Sequence, residues 1–156
     1  MFDNNQFRQY IIRPSLQPIG LWNANAEELL VMTCAQESLG GKYLHQIKGP
    51  ALGIFEMQPN TINDIWKNYL STRISMLKGI YDQLKIIERP DDEVMVYNLR
   101  YATIMARVFY ERIKENLPDA KDVEAMAKYY KHYYNTDLGA ATIPEIISNY
   151  HKFIGV

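Results

Sequence analysis

Glu37 is followed by Ser38 and, two residues further on, by Gly40-Gly41. A carboxylate at the C-terminal end of a helix faces the partial negative charge of the last carbonyls, and apolar neighbours in its stripe disfavour its ionised form a second time. Its pKa should rise. A carboxyl group that keeps its proton near neutrality can give it to a poor leaving group such as a glycosidic oxygen, which is general acid chemistry. On spacing alone, a helix-terminal glutamate is as a rule a solvated surface group. Cys34 lies one turn earlier, but no histidine is placed by sequence to activate it, so it reads as packing. His45, His132 and His151 lack the i, i+3 or i, i+4 spacing of helical metal ligands. Neither a metal nor another cofactor is expected.

The elements that must hold Glu37 read as helices. Asn25 with Glu28 three residues on has the form of a capping box, which predicts a helix to about Ser38 with Leu30, Thr33 or Cys34, and Glu37 on one face. Gly40-Gly41 supply left-handed residues that end helices. Residues 1–24, punctuated by Pro14, Pro18 and Gly20, read as an irregular lead packing on the domain. From Lys42 to Gln58 no helical period is sustained, and Gly49-Pro50 and Gly53 mark turns. That predicts a Gly-rich loop or short β-hairpin between two helices. Thr61 with Asp64 resembles a second cap, and Ile62, Ile65, Trp66, Tyr69 and Leu70 form an amphipathic stripe that Ile74, Leu77, Tyr81, Leu84 and Ile87 repeat.

Arg89-Pro90-Asp91-Asp92 breaks the pattern, and a long helix to about Asn116 should turn Tyr97, Tyr101, Ile104, Met105, Val108 and Ile113 inward. Asp119 or Asp122 opens the next helix, which ends near Tyr134-Asn135. After Gly139-Ala140-Ala141, Thr142 and Glu145 form a capping box around Pro144, with Ile146, Ile147, Tyr150 and Phe153 facing the core. The expectation is one mainly α domain spanning 1–156.

Composition narrows the function. With 47% hydrophobic and 22% charged residues the chain has a globular balance, so disordered and fibrous readings fail. A net charge of −1 and a pI near 6.3 leave no basic footprint for nucleic acid. One cysteine excludes an intramolecular disulfide, which suits a reducing cytoplasm. Met1 to Tyr10 lacks a basic segment followed by an apolar run, and no stretch reaches the roughly 20 apolar residues of a membrane span. Neither a signal peptide nor stable membrane insertion is expected.

Gln36-Glu37-Ser38-Leu39-Gly40-Gly41, Gln46, the run Gly49-Pro50-Ala51-Leu52-Gly53-Ile54-Phe55-Glu56-Met57-Gln58-Pro59, and Thr61 resemble the signature of the soluble lytic transglycosylases. In that family a Glu-Ser pair ending a helix precedes a Gly-rich loop that carries a glutamine and closes on Pro-x-Thr. Asn98-Leu99-Arg100 with Ala102, and Tyr134-Asn135, are similar to two later family segments. The order and approximate spacing match over about residues 25 to 140, and the lead from Phe7 to Trp22 resembles that of small phage-encoded members.

The resemblance implies a lysozyme-like helical fold whose groove binds alternating N-acetylglucosamine and N-acetylmuramic acid. Glu37 would protonate the oxygen between muramic acid and glucosamine and then act as base. Its target would be the muramic 6-hydroxyl in a transglycosylase or water in a muramidase. Substrate contacts would fall to Ser38, Gln46, Gly53, Phe55, Glu56, Gln58, Tyr134 and Asn135. Glu56 stands where the family has glutamine, so it is either a second carboxylate for hydrolysis or a replacement that still hydrogen-bonds sugar. Gln58 replaces an apolar residue. Tyr129-Tyr130 and Tyr133-Tyr134 replace a small-residue run; Tyr134 matches the motif, while Tyr130 and Tyr133 read as core or rim. Ser38 either contacts substrate or satisfies the helix end. The implied protein is a phage endolysin or virion-associated lysin, made in the host cytoplasm and acting in the periplasm or cell wall. A holin or a particle would deliver it, and its partner would be peptidoglycan. The alternative is a catalytically inactive glycan-binding or structural virion module on the same scaffold.

Overall fold

The lead is helical, which corrects the irregular segment expected over 1–24. In the computed structural model, which describes residues 1–156, residues 4–19 run as one helix, α1. It opens as an α turn at Asn4–Gln6, widens to π geometry at Phe7–Ile12, returns to α at Arg13–Leu16 and tightens to a 3-10 turn at Gln17–Ile19. Pro14 and Pro18 each stand at the opening of one of these segments, where the change of helical register removes the need for their missing N–H. Phe7, Ile12 and Leu16 are thereby carried into the core.

Helix α2, Ala24–Ser38, is capped by Asn23, whose side chain accepts the Ala26 N–H at 2.8 Å. The capping box expected at Asn25 and Glu28 does not form, because tertiary partners claim both side chains. Asn25 accepts the Ala120 N–H at 2.8 Å, and Glu28 receives Arg8 at 2.6 and 2.7 Å. Every residue from Leu29 to Ala35 is buried, so α2 is a helix enclosed on all sides rather than one with a single apolar face.

The segment between α2 and the next helix makes only isolated bridges, His45 with Leu52 and Leu52 with Met57, and no sheet forms. Helix α3 covers residues 59–72, as Pro59–Asp64, a π segment Ile65–Tyr69 and a 3-10 turn Leu70–Thr72. It starts ahead of the expected Thr61 because Pro59, with its fixed φ, is already suited to the first turn. Helix α4, Ile74–Leu84, closes on a left-handed Lys85, and Ile87 beyond it is 92% exposed rather than in the stripe.

The long helix expected after Asp92 is two: α5, Val94–Tyr97, and α6, Leu99–Glu111. Asn98 separates them. Its backbone is extended and its side chain accepts the Tyr101 N–H at 3.0 Å, the local bond with which asparagine competes against helix continuation. Tyr97 is left outside, against expectation, whereas residues 101–110 are all buried. Helix α7, residues 123–135, is capped by Asp122 and changes from α at Val123–Tyr130 to π at Lys131–Asn135. Helix α8, Ile143–Ile154, begins with the expected capping box of Thr142 and Glu145. All eight helices feed one contiguous core of 34 buried residues, so the chain is mainly α around one centre. No helix is long and apolar enough to cross a membrane.

Candidate functional site

The end of α2 is closed by Ser38, whose buried hydroxyl donates to the Cys34 carbonyl at 3.2 Å and accepts the Gly41 N–H at 2.9 Å. Leu39, at φ +51°, takes the left-handed position, with Gly40 and Gly41 also at positive φ. The chain turns away at once, leaving Glu37 half-buried. Burial raises its pKa from the ordinary carboxylate value to about 7; the charge of Glu56 acts in the same direction, and a hydrogen bond from Tyr130 opposes both.

Tyr130 comes from the last α turn of α7, and its hydroxyl donates to Oε1 of Glu37. No other protein group hydrogen-bonds this carboxyl, so Oε2 is the oxygen left to carry the proton. Burial and the neighbouring Glu37 hold the Tyr130 hydroxyl far above its usual pKa, which keeps it a donor. Tyr134 stacks on Tyr130 with ring centres 5.9 Å apart, and its own hydroxyl donates to the Phe55 carbonyl at 2.6 Å. One face of α7 thus binds both the end of α2 and the loop that carries Glu56. Behind it, Tyr110 packs 5.6 Å from Tyr134 and shares a 2.7 Å hydrogen bond with Thr33, so the Tyr134 ring is backed by a tyrosine anchored in the core.

Glu56 is half-buried at φ +42°, a conformation that costs a non-glycine residue and is retained where surrounding structure enforces it. Burial raises its pKa against the opposing charge of His45. The loop turns at Gly53, φ +76°, where a Cβ would stand 2.4 Å from the Met95 carbonyl; only glycine fits.

The other expected contacts divide. Ser38, Gln46 and Phe55 serve the scaffold: Ser38 as described, Gln46 by accepting the Ala51 N–H at 3.2 Å, and Phe55 by burying its ring fully beside Phe7. Gln58 is exposed, and its carbonyl receives the first N–H groups of α3. Asn135 accepts from Lys131 Nζ at 2.7 Å, which also reaches the Gly139 carbonyl at 2.7 Å, so this pair pins the loop after α7. Tyr130, read from the sequence as core or rim, is buried, and the reading missed its hydroxyl at Glu37. Its spacing of four from Tyr134, one helical turn, was the available signal. Cys34 is buried, with its thiol pushed up to about 12 chiefly by burial.

No three His, Cys, Asp or Glu side chains gather where they could hold one ion. A polar hollow of about 490 Å³, bordered by Asn23, Asn25, Arg107 and Lys114, lies at the opposite end of α2 and does not include Glu37. Chemically, the arrangement offers one carboxyl whose pKa is raised to about 7, with a fixed tyrosine donor and a second carboxylate whose charge helps to raise it. No family model, curated protein or solved structure matches the chain.

Proposed function

We propose that the chain cleaves the β-1,4 bond between N-acetylmuramic acid and N-acetylglucosamine in bacterial peptidoglycan, on a lysozyme-like scaffold, with Glu37 as acid and base. The observation that carries this reading is the half-buried Glu37 with a pKa of about 7 and Oε2 unpartnered. The sequence resemblance supplies the substrate. A carboxyl with that pKa is substantially protonated at neutrality and can donate to the glycosidic oxygen as the bond breaks. The carboxylate so formed is stabilised by the Tyr130 hydroxyl, and it accepts a proton from the muramic 6-hydroxyl, closing an anhydro ring, or from water.

Glu56 gives hydrolysis a second carboxylate, whereas transglycosylation needs Glu37 alone, and product mass separates the two. Anhydro ends are lighter than reducing ends by one water. Glu37→Gln should abolish release of soluble muropeptides from purified walls while the thermal transition stays sharp. Undiminished release by that variant defeats the assignment, and a wild-type chain that binds walls but releases nothing points to the silent binding module.

A further inference from the structure

The polar hollow of about 490 Å³ at the start of α2 takes no part in the site around Glu37, which lies roughly 20 Å along the helix. Its walls are the first turn of α2 and the end of α6 with the chain that follows. Asn25 ties the two together: its side-chain oxygen accepts the Ala120 N–H at 2.8 Å, and its amide nitrogen is left free to donate. Arg107 crosses between the same walls. It is 4% exposed; Nε donates to the Leu21 carbonyl just ahead of α2 at 2.7 Å, and Nη2 pairs with Glu111 of α6 at 2.8 Å. Nη1 is buried as well and has no hydrogen-bond partner, the one side-chain atom of the chain in that condition. A charged donor left unpaired away from water is costly, and in a residue that lines a hollow it marks where an acceptor belongs.

Backbone donors open on the same hollow. The Asn23 cap satisfies Ala26 through its side chain and Glu27 through its carbonyl, so the N–H groups of Ala24 and Asn25 have no acceptor in the protein. Glu27, the acidic residue of this first turn, is taken by Arg13, Arg8 and Trp22 and does not fill that role. Every unspent group is therefore a donor, and the ligand must accept. Charge selects among acceptors. In the lining, Arg107 and Lys114 are matched by Glu111 and Glu115, which leaves the positive end of the α2 dipole to favour one negative charge. A doubly charged phosphate would bring a second against two carboxylates. Ile113 and Leu117 add aliphatic surface. We propose that this hollow binds a terminal carboxylate borne on a small aliphatic residue, as at the end of a peptide, between Nη1 of Arg107 and the N–H groups of Ala24 and Asn25. The assignment stands without the reading of Glu37.

The isotope-labelled full-length chain is titrated with N-acetyl-alanine and followed by its amide resonances. Those of Ala24 and Asn25 and the Nε resonance of Arg107 should shift together and saturate, while those around Glu37 stay in place. N-acetyl-alaninamide, alike in shape but uncharged, should bind about tenfold more weakly, and so should inorganic phosphate. Arg107→Lys keeps the charge, removes Nη1 and should weaken binding about tenfold. Asn25→Asp keeps the acceptor for Ala120 but puts a charged oxygen where the free amide was, so it should abolish binding with the fold intact whether or not the arginine variant folds. No saturable shift at Ala24 and Asn25, an amide or phosphate that binds as tightly as the acid, or undiminished binding by Asn25→Asp overturns the assignment. Shifts centred on Glu37 would place the carboxylate in the candidate site and overturn it too.

Discussion

Two groups touch the electrostatics of Glu37 with opposite signs, and that opposition is measurable. A general acid must start protonated, so cleavage should decline as pH rises through about 7, the value to which burial lifts Glu37. Glu56 raises that value through its charge, so Glu56→Gln should move the alkaline limb of the rate profile to lower pH. Tyr130 lowers it by hydrogen-bonding the ionised form, so Tyr130→Phe should move the limb to higher pH while slowing the reaction, since the carboxyl loses its orienting partner. The other groups around the carboxyl, the hydroxyls of Tyr110 and Tyr134 and the Cys34 thiol, have pKa values raised by burial and stay neutral across this range. Profiles of muropeptide release for the three proteins check this; limbs that coincide would mean another group sets the pH dependence. At this scale the position of Glu37 was readable, because a helix end followed by two glycines is written in residue types. The role of Tyr130 was not. Tyr130 and Tyr134 share a helix face, and which hydroxyl reaches Glu37 and which reaches Phe55 depends on the π turn at Lys131–Asn135, which no residue pattern announces.

The loop carrying Glu56 is shaped by close backbone approach rather than by strand pairing, since its bridges are single and isolated. Gly53→Ala would put a Cβ 2.4 Å from the Met95 carbonyl in a left-handed conformation, and should destabilise the chain by about 2 kcal/mol or more. Denaturant unfolding measures it, and activity should fall with it if the loop retreats from α5. A glycine that tolerates alanine at no cost would show the loop to be mobile there. Elements with local, self-contained signals were legible: Asp122 and the Thr142–Glu145 box begin α7 and α8 as their residues indicate. Elements decided by competition were not. Asn98 could continue or cap a helix, and the cap prevails because α6 packs on the core along residues 101–110 while Tyr97 stays outside. Pro14 and Pro18 read as breaks because register changes that accommodate proline follow from packing, not from the proline.

At the scale of the whole molecule, α1 is fastened to α2 by charge as well as by its buried Phe7, Ile12 and Leu16. Glu27, 4% exposed, accepts from Arg13 at 2.9 Å through both carboxylate oxygens and from the Trp22 indole at 2.6 Å, with Arg8 at 3.4 Å. Burial by itself would raise its pKa, but the hydrogen bonds from Arg13 and Trp22 and the charges of Arg13 and Arg8 outweigh it, and the value is lowered. A carboxylate with a lowered folded pKa contributes stability that is present above its unfolded value, near 4.3, and is lost as pH falls through the folded one. Glu27→Gln keeps the shape and leaves two guanidinium groups without their shared charge, so it should cost about 2 kcal/mol at pH 7. The difference between variant and wild type should shrink as pH falls through the lowered folded pKa, where the wild-type carboxyl takes the neutral form that glutamine imitates, so it is smaller at acid pH than at pH 7. Urea unfolding at the two pH values measures both numbers, and hydrogen exchange should show α1 opening before α2 in the variant. A penalty of equal size at both pH values would mean that Glu27 acts through packing alone, and that the buried Phe7, Ile12 and Leu16 hold α1 in place unaided.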